Sequence, residues 1–127
     1  MGNHTELTAL VIDDEDLMRK LLTDYLSDIG VRTESVATTA LGLDLVTQNN
    51  YDLVFTDLNQ TPSGVELYQA AIERGMKAYI MTGGASPEII GEAKRIAGKN
   101  LILKPFNLRD IESIVDGLKA QKGLTQS

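Results

Sequence analysis

Cysteine is absent from this 127-residue chain. That excludes a disulfide framework, a cysteine-ligated zinc site and a thiol nucleophile, and it agrees with a reducing compartment. Runs of lysine or arginine are also missing, and 12 basic against 18 acidic residues leave a net charge of −6. A nucleic-acid surface is therefore not expected, because duplex binding is driven by clustered cations. No stretch approaches the roughly 18 consecutive apolar residues of a membrane span. The polar start, Met1-Gly2-Asn3-His4-Thr5-Glu6, lacks the apolar core of a signal peptide. Met1-Gly2 opens like a myristoylation motif, but Glu6 stands where serine or threonine is required. The expectation is a cytoplasmic protein without membrane attachment. Repeats, low-complexity segments and linkers are absent too, which leaves one domain over residues 1–127, its core about 7–120 and its ends frayed, the tail from Gln121 included. His4 lies outside the predicted fold and receives no role.

What the chain does contain is a fivefold alternation of short apolar runs with longer helical ones. The spacing predicts strands over Leu7–Ile12, Arg32–Val36, Leu53–Thr56, Lys77–Met81 and Asn100–Leu103. Between and after them it predicts helices over Asp16–Ile29, Thr39–Gln48, Gly64–Arg74, Pro87 to about Ile96, and from Asn107 onward. Leu17, Leu21, Leu22, Tyr25, Leu26 and Ile29 form the expected inward face of the first helix. Leu108, Ile111, Ile114, Val115 and Leu118 form that of the last. Ser86-Pro87-Glu88 combines an N-cap, a first-turn proline and a first-turn acid. Strands alternating with helices imply right-handed crossovers and a parallel sheet covered on both faces. Continuous apolar strands such as Leu101-Ile102-Leu103 suit that burial. The predicted fold is α/β, a flavodoxin-like doubly wound five-stranded parallel sheet of order 2-1-3-4-5 with five helices.

Four of the apolar runs end on polar residues of different kinds: Asp13-Asp14, Asp57, Thr82 and Lys104. In a parallel sheet these ends share one edge, the edge where ligands bind. Paired acids repel unless a cation lies between them, and magnesium takes a few carboxylate oxygens while keeping waters. A carboxylate such as Asp57 can act as a nucleophile towards phosphorus. The hydroxyl of Thr82 can donate to a phosphoryl oxygen, and Lys104 is a point-charge partner for phosphate. Each residue also has an ordinary reading. Asp14 or Asp16 can cap the first helix, Asp57 can open an Asx-turn, Thr82-Gly83-Gly84 can be a plain connection, and Lys104 a solvated surface residue. Four such coincidences at corresponding strand ends are what a shared magnesium and phosphoryl site avoids.

The chain resembles a response-regulator receiver domain, the phosphoacceptor module of two-component signalling, over essentially its whole length. The residues carrying the likeness are Asp13-Asp14, Asp57, Thr82 and Lys104-Pro105-Phe106, with 44 positions from Asp13 to Asp57 and 22 from Thr82 to Lys104. The resemblance implies that Asp57 accepts a phosphoryl group from a phosphohistidine or a small acyl phosphate. It implies Mg2+ held by Asp14, Asp57 and the backbone carbonyl of Asn59, with Asp13 acting largely through water. Lys104 and Thr82 would take the remaining phosphoryl oxygens, and an inward pull on Thr82 would switch the surface around the fourth helix, fifth strand and fifth helix. The implied partners are a sensor histidine kinase or phosphotransfer protein and an unknown downstream protein. A homodimer through the face from helix four to helix five is also compatible with the family. Such a protein is not an enzyme beyond its own phosphorylation and dephosphorylation. With no residues left for an output domain, output is expected in a partner or in onward phosphotransfer, unless the chain is a receiver cut from a longer protein.

Three positions depart from the family pattern. Leu101 stands where an aromatic residue usually swings inward, so the hydroxyl half of the switch is expected without its aromatic half. The loop after Asp57 reads Gln60-Thr61-Pro62 in place of the usual Met-Pro, with Gly64 one residue early, which predicts a trimmed or shifted entry to the third helix. Gly84, two residues beyond Thr82, offers no side chain to shield a phosphoryl group, which implies a short-lived phosphorylated state. The alternative function is a pseudo-receiver, a phosphorylation-independent protein-binding module. A phosphatase would need a separate general acid, and a flavodoxin-type cofactor binder would need a phosphate loop where Asp13-Asp14-Glu15-Asp16 stands.

Overall fold

The computed structural model describes residues 6–123; His4 and the myristoylation-like start lie outside them. In chain order the elements are β1 (Leu7–Ile12), α1 (Asp16–Asp28), β2 (Val31–Val36), α2 (Thr39–Gln48), β3 (Leu53–Asp57) and α3 (Gly64–Glu73). They continue with β4 (Lys77–Thr82), α4 (Pro87–Ala97), a 3-10 turn (Gly98–Asn100), β5 (Leu101–Leu103) and α5 (Leu108–Gln121). All four strand pairings are parallel and the sheet runs β2-β1-β3-β4-β5. This is the doubly wound, flavodoxin-like order that the alternating pattern predicts.

Alternation along the strands splits the core into two layers. Leu10, Ile12, Val54, Ala78 and Ile80 pack with Val46 of α2, Leu67 and Ala71 of α3 and Ala93 of α4. Leu7, Ala9, Val11, Leu53, Phe55 and Met81 face the other way, onto Leu22 and Leu26 of α1 and Ile111 and Val115 of α5. Every residue of β3 is buried, as suits the central strand.

Two expectations about burial are corrected. Leu17 and Leu21 do not belong to the inward face of α1: they are 85% and 46% exposed, while Leu22 and Leu26 are fully buried. At 3.6 residues per turn Leu17 lies about 140° around the helix from Leu22, too far to share one contact stripe. Nor is β5 buried on both sides. It is an edge strand of three residues, and Leu103 is 56% exposed. At the C-terminal end α5 runs through Gln121, one residue into the tail expected to fray.

The helices begin on side-chain caps. Thr38, Ser63, Ser86 and Asn107 accept backbone N–H bonds from Leu41, Glu66, Ile89 and Arg109, respectively, each cap typically worth about 1 kcal/mol. Pro87 opens α4 at the position where its missing N–H does no harm. The start of α1 differs: Glu15 is its N-cap and makes no side-chain cap bond, so neither Asp14 nor Asp16 caps it. The entry to α3 is tightened rather than lost. The Gly64 N–H donates to the Leu58 carbonyl at 3.1 Å, which closes the loop after β3.

A Cβ at Gly64 would sit 2.1 Å from the Asp57 carbonyl oxygen and 2.8 Å from the Leu58 Cα, both backbone atoms that cannot swing aside. At Gly84 it would meet nothing within 4 Å. Gly64→Ala is therefore expected to destabilise the fold by about 1–3 kcal/mol, as overpacking does, and Gly84→Ala to stay within about 0.5 kcal/mol of the parent. Urea unfolding of both variants checks this, and equal midpoints would contradict the tight approach of α3 to Asp57.

Candidate functional site

The strand order brings the polar ends of β1, β3, β4 and β5 to one edge. Asp13 follows the last residue of β1 and is fully buried; Asp57 is the last residue of β3 and is 8% exposed. Asp14, one residue further, is exposed. One carboxylate oxygen from each of these three residues falls within 4.8 Å of the others. Burial pushes the Asp57 carboxyl above its usual range, and the neighbouring carboxylates of Asp14 and Asp13 push it further, while Lys104 and Gln60 pull the other way. A trio of acids, two buried and one exposed, with one member already reluctant to ionise is a donor set that fits a hard divalent cation. Asp14, Glu15, Met18, Asp57, Asn59, Gly83, Gly84, Lys104 and Pro105 line an open cleft of about 570 Å³ there.

Lys104 follows β5 and reaches across to β1. Its ammonium donates to Asp13 Oδ2 at 3.0 Å and to Glu15 Oε1 at 3.4 Å. Burial works to lower its pKa, but the Asp13 hydrogen bond and charge, with Asp57 and Glu15 behind them, outweigh that and hold it above the ordinary lysine value. The other oxygen of Asp13 accepts the Glu15 N–H at 2.9 Å, and the Asp13 carbonyl accepts from Arg19 Nη1 at 2.7 Å. Asp13 is thus pinned from three sides, while Asp14 is left facing the cleft.

Thr82 ends β4 but does not line the cleft. It is 1% exposed, and among the described residues its hydroxyl has no hydrogen-bond partner. Its carbonyl accepts the Lys104 N–H at 2.7 Å, so the two residues share a backbone bond without sharing the acidic pocket. Asn59 is exposed and lines the cleft. Leu101 is partly buried against the layer formed by α2, α3 and α4. Asp57 opens no Asx-turn among the described hydrogen bonds; its one side-chain contact of that kind is with Gln60 Nε2 at 3.5 Å.

Gln60 is the neighbour that a reading of strand ends misses. It sits in a loop, not at a strand end, and its only signal is that an amide occupies the Gln60-Thr61-Pro62 segment where the family pattern carries Met-Pro. Its Oε1 accepts the Thr39 N–H at 2.9 Å and its Nε2 donates to the Ala37 carbonyl at 3.1 Å.

A parallel α/β sheet that gathers three acids and an ammonium at the C-terminal strand ends defines an open-sheet domain with a cation-ready cleft. Comparison with known proteins narrows the class. The family model described as the response regulator receiver domain matches residues 9–116, and the chain belongs to that family. It is similar to the transcriptional regulatory protein LytR of Staphylococcus aureus, 32% identical over 122 residues. That match covers 91% of this chain and 48% of LytR, so the chain spans about half the length of that relative. Sporulation initiation phosphotransferase F of Bacillus subtilis is 30% identical over 113 residues, covering 87% of this chain and 89% of that protein. Among solved structures, a CheY-like receiver domain protein from Methanospirillum hungatei superposes with a TM-score of 0.78 at 27% identity, covering 94% of this chain and 99% of that one.

The raised Asp57 pKa has a stability consequence of definite sign. Below the ordinary carboxylate range both folded and unfolded chains are protonated there. As pH rises, the unfolded chain releases its proton first, so the folded state loses stability until the raised native value is passed. Asp57→Asn removes that loss. The variant is expected to melt higher than the parent at neutral pH in metal-free buffer, with the gap closing as pH falls below the ordinary carboxylate range. Thermal melts across pH check this; a gap that widens on acidification would reverse the sign.

Proposed function

We propose that this domain is a phosphoacceptor of a two-component phosphorelay in which Asp57 is the residue phosphorylated. The observation that carries the reading is the convergence of Asp13, Asp14 and Asp57 within 4.8 Å at the sheet edge. That grouping is unfavourable unless a cation lies among the three carboxylates. In the proposed reaction an Asp57 carboxylate oxygen attacks phosphorus in a phosphohistidine or a small acyl phosphate. A new O–P bond forms as the P–N or acyl O–P bond breaks, and the histidine or carboxylate leaves with the bonding pair. Mg2+, held by Asp14, Asp57 and the Asn59 carbonyl with Asp13 acting through water, would neutralise charge on the transferring group.

The chain's own groups do the rest. Lys104 already stands beside Asp13 and Glu15 at 3.0 and 3.4 Å, and its flexible stem lets the ammonium trade a carboxylate for a phosphoryl oxygen. The Thr82 hydroxyl, buried and unpartnered, gains an acceptor by turning towards the phosphoryl group. An unsatisfied buried polar group typically costs about 1–3 kcal/mol, so that turn is favoured once the acceptor exists. Leu101 makes no polar contact, so the loop from Gly83 to Ser86 transmits the change without an aromatic partner.

The output is a changed surface over α4, β5 and α5, where Ile89 and Leu103 are 47% and 56% exposed; it meets a downstream protein or a second copy of the chain. The phosphoryl source is a sensor histidine kinase or a phosphotransfer protein, consistent with the likeness to the sporulation phosphotransferase. The proposed setting is the cytoplasm, and no described helix is long and apolar enough to cross a membrane. The domain acts on no substrate other than its own Asp57, and the complete acid set with Lys104 favours phosphotransfer over phosphorylation-independent binding.

Intact mass after incubation with magnesium and acetyl phosphate tests this. Wild type is expected to gain one phosphoryl group, and both Asp57→Asn and wild type with chelator to gain none. No gain in the folded wild type with magnesium present would sink the reading. A second expectation concerns lifetime. Gly84 is exposed and leaves open space where a side chain would stand. Replacing it with a larger residue, Gly84→Glu, should therefore slow loss of the label several-fold; a decay no slower than wild type would contradict the role of that open side.

A further inference from the structure

The Gln60 carboxamide is oriented by backbone groups on both of its ends. Its oxygen must face Thr39, because only an acceptor satisfies that N–H, and its nitrogen must face Ala37, because only a donor satisfies that carbonyl. This settles which way round the amide lies, a choice that is otherwise ambiguous. The second N–H of the same nitrogen is left for Asp57 Oδ2, 3.5 Å away, the outer limit of a hydrogen bond. The β2–α2 connection is itself tied down: the Thr39 hydroxyl donates to the Pro62 carbonyl, on the far side of Gln60 in the same loop. Thr39 is fully buried. The side chain is therefore a short, rigid strut from the start of α2 to the acceptor carboxylate.

We propose that Gln60 is a positioning residue for phosphoryl transfer: clamped by Ala37 and Thr39, it fixes the rotation of the Asp57 carboxylate by offering one oxygen an N–H. The proposal rests on Asp57 being the phosphoacceptor and adds the group that orients it. A carboxylate free to rotate spends part of its time with neither oxygen aimed at phosphorus, and holding a near-attack geometry raises the rate without tightening donor binding. Among the described side chains the other neighbours are of the wrong kind for this task. Asp13 and Asp14 repel Asp57, and Lys104 is engaged by Asp13 and Glu15. Among the described side chains, Gln60 is the uncharged donor within hydrogen-bond reach of Asp57.

Two isosteric changes separate positioning from mere loop stability. Gln60→Met keeps length and volume without hydrogen bonding. Gln60→Glu keeps the acceptor for Thr39 but places a second carboxylate where Asp57 needs a donor. Phosphorylation by acetyl phosphate is followed by intact mass over a range of donor concentrations, with thermal melts alongside. The expected result is a saturating rate lower by at least about threefold in Gln60→Met and about tenfold in Gln60→Glu, with donor half-saturation unchanged. A second readout needs neither donor nor metal: the side-chain amide signals of Gln60 in a 1H–15N spectrum are expected to shift in Asp57→Asn. If both variants melt lower yet phosphorylate within twofold of wild type, Gln60 is structural and the proposal is overturned. An unmoved Gln60 amide in Asp57→Asn overturns it too, and decides the matter if either variant fails to fold. No phosphorylation of wild type overturns the phosphoacceptor reading and this proposal together, whereas normal wild type with unaffected variants overturns this one alone.

Discussion

Three carboxylates held at one end of a sheet repel one another, and the rest of the molecule is arranged around that repulsion. The hydrophobic layers on both faces fix the strands, and the strands fix where Asp13 and Asp57 must point. Neither side chain can retreat, because Asp57 ends a fully buried strand and Asp13 follows one buried everywhere except at Thr8. Lys104 engages the carboxylate of Asp13 rather than that of Asp57, so one acid of the trio is neutralised while Asp57 keeps its charged neighbours. A buried ion pair is weak evidence for stability, since desolvation offsets much of the attraction. Its use here is placement: the pair spans from β1 to β5 and draws the two outer contributors of the site together across β3 and β4.

How far this was legible from residue types alone depends on the element. The alternation of apolar strands and amphipathic helices specified strand order and the site edge, because burial on both faces of a parallel sheet writes itself into continuous apolar runs. Ends of strands at Asp13, Asp57, Thr82 and Lys104 were legible for the same reason: each follows an apolar run and differs from it sharply. The face of α1 was not. Its leucines at 17, 21, 22 and 26 exceed what one stripe can bury, and only the actual seat of the helix on β1 and α5 decides that Leu22 and Leu26 go in. The exposure of β5 was hidden likewise: the predicted order puts it at the edge, yet Leu101-Ile102-Leu103 reads as a strand buried on both faces, while Leu103 is 56% exposed.

Side-chain state was less legible than side-chain position. Thr82 stands at the right strand end, yet its hydroxyl is buried and unpartnered and the residue does not line the cleft. A residue type announces a capacity to donate and says nothing about where the rotamer rests. Gln60 illustrates the converse. Its backbone lies in a loop with no periodicity to read, and its relation to Asp57 arises from bonds to Ala37 and Thr39 more than 20 positions earlier. Contacts of that kind exist only after the sheet has brought the β2–α2 and β3–α3 connections together.

The β4–α4 loop joins these two kinds of information. Lys104 donates its N–H to the Thr82 carbonyl at 2.7 Å, and a Cβ at Gly83 would lie 2.9 Å from the Lys104 Cβ. Gly83 therefore packs directly on the lysine stem, and the loop cannot shift there without moving the lysine or breaking contact with it. A Cβ at Gly84, by contrast, would meet nothing within 4 Å. The loop is packed tightly at its first residue and has open space beside its second. Thr82 thus begins a segment whose near end packs against Lys104 and whose far end leads through Ser86 into α4. With no aromatic ring at Leu101, the Thr82 carbonyl and the Gly83 backbone are the points where this loop is joined to Lys104 at the site edge.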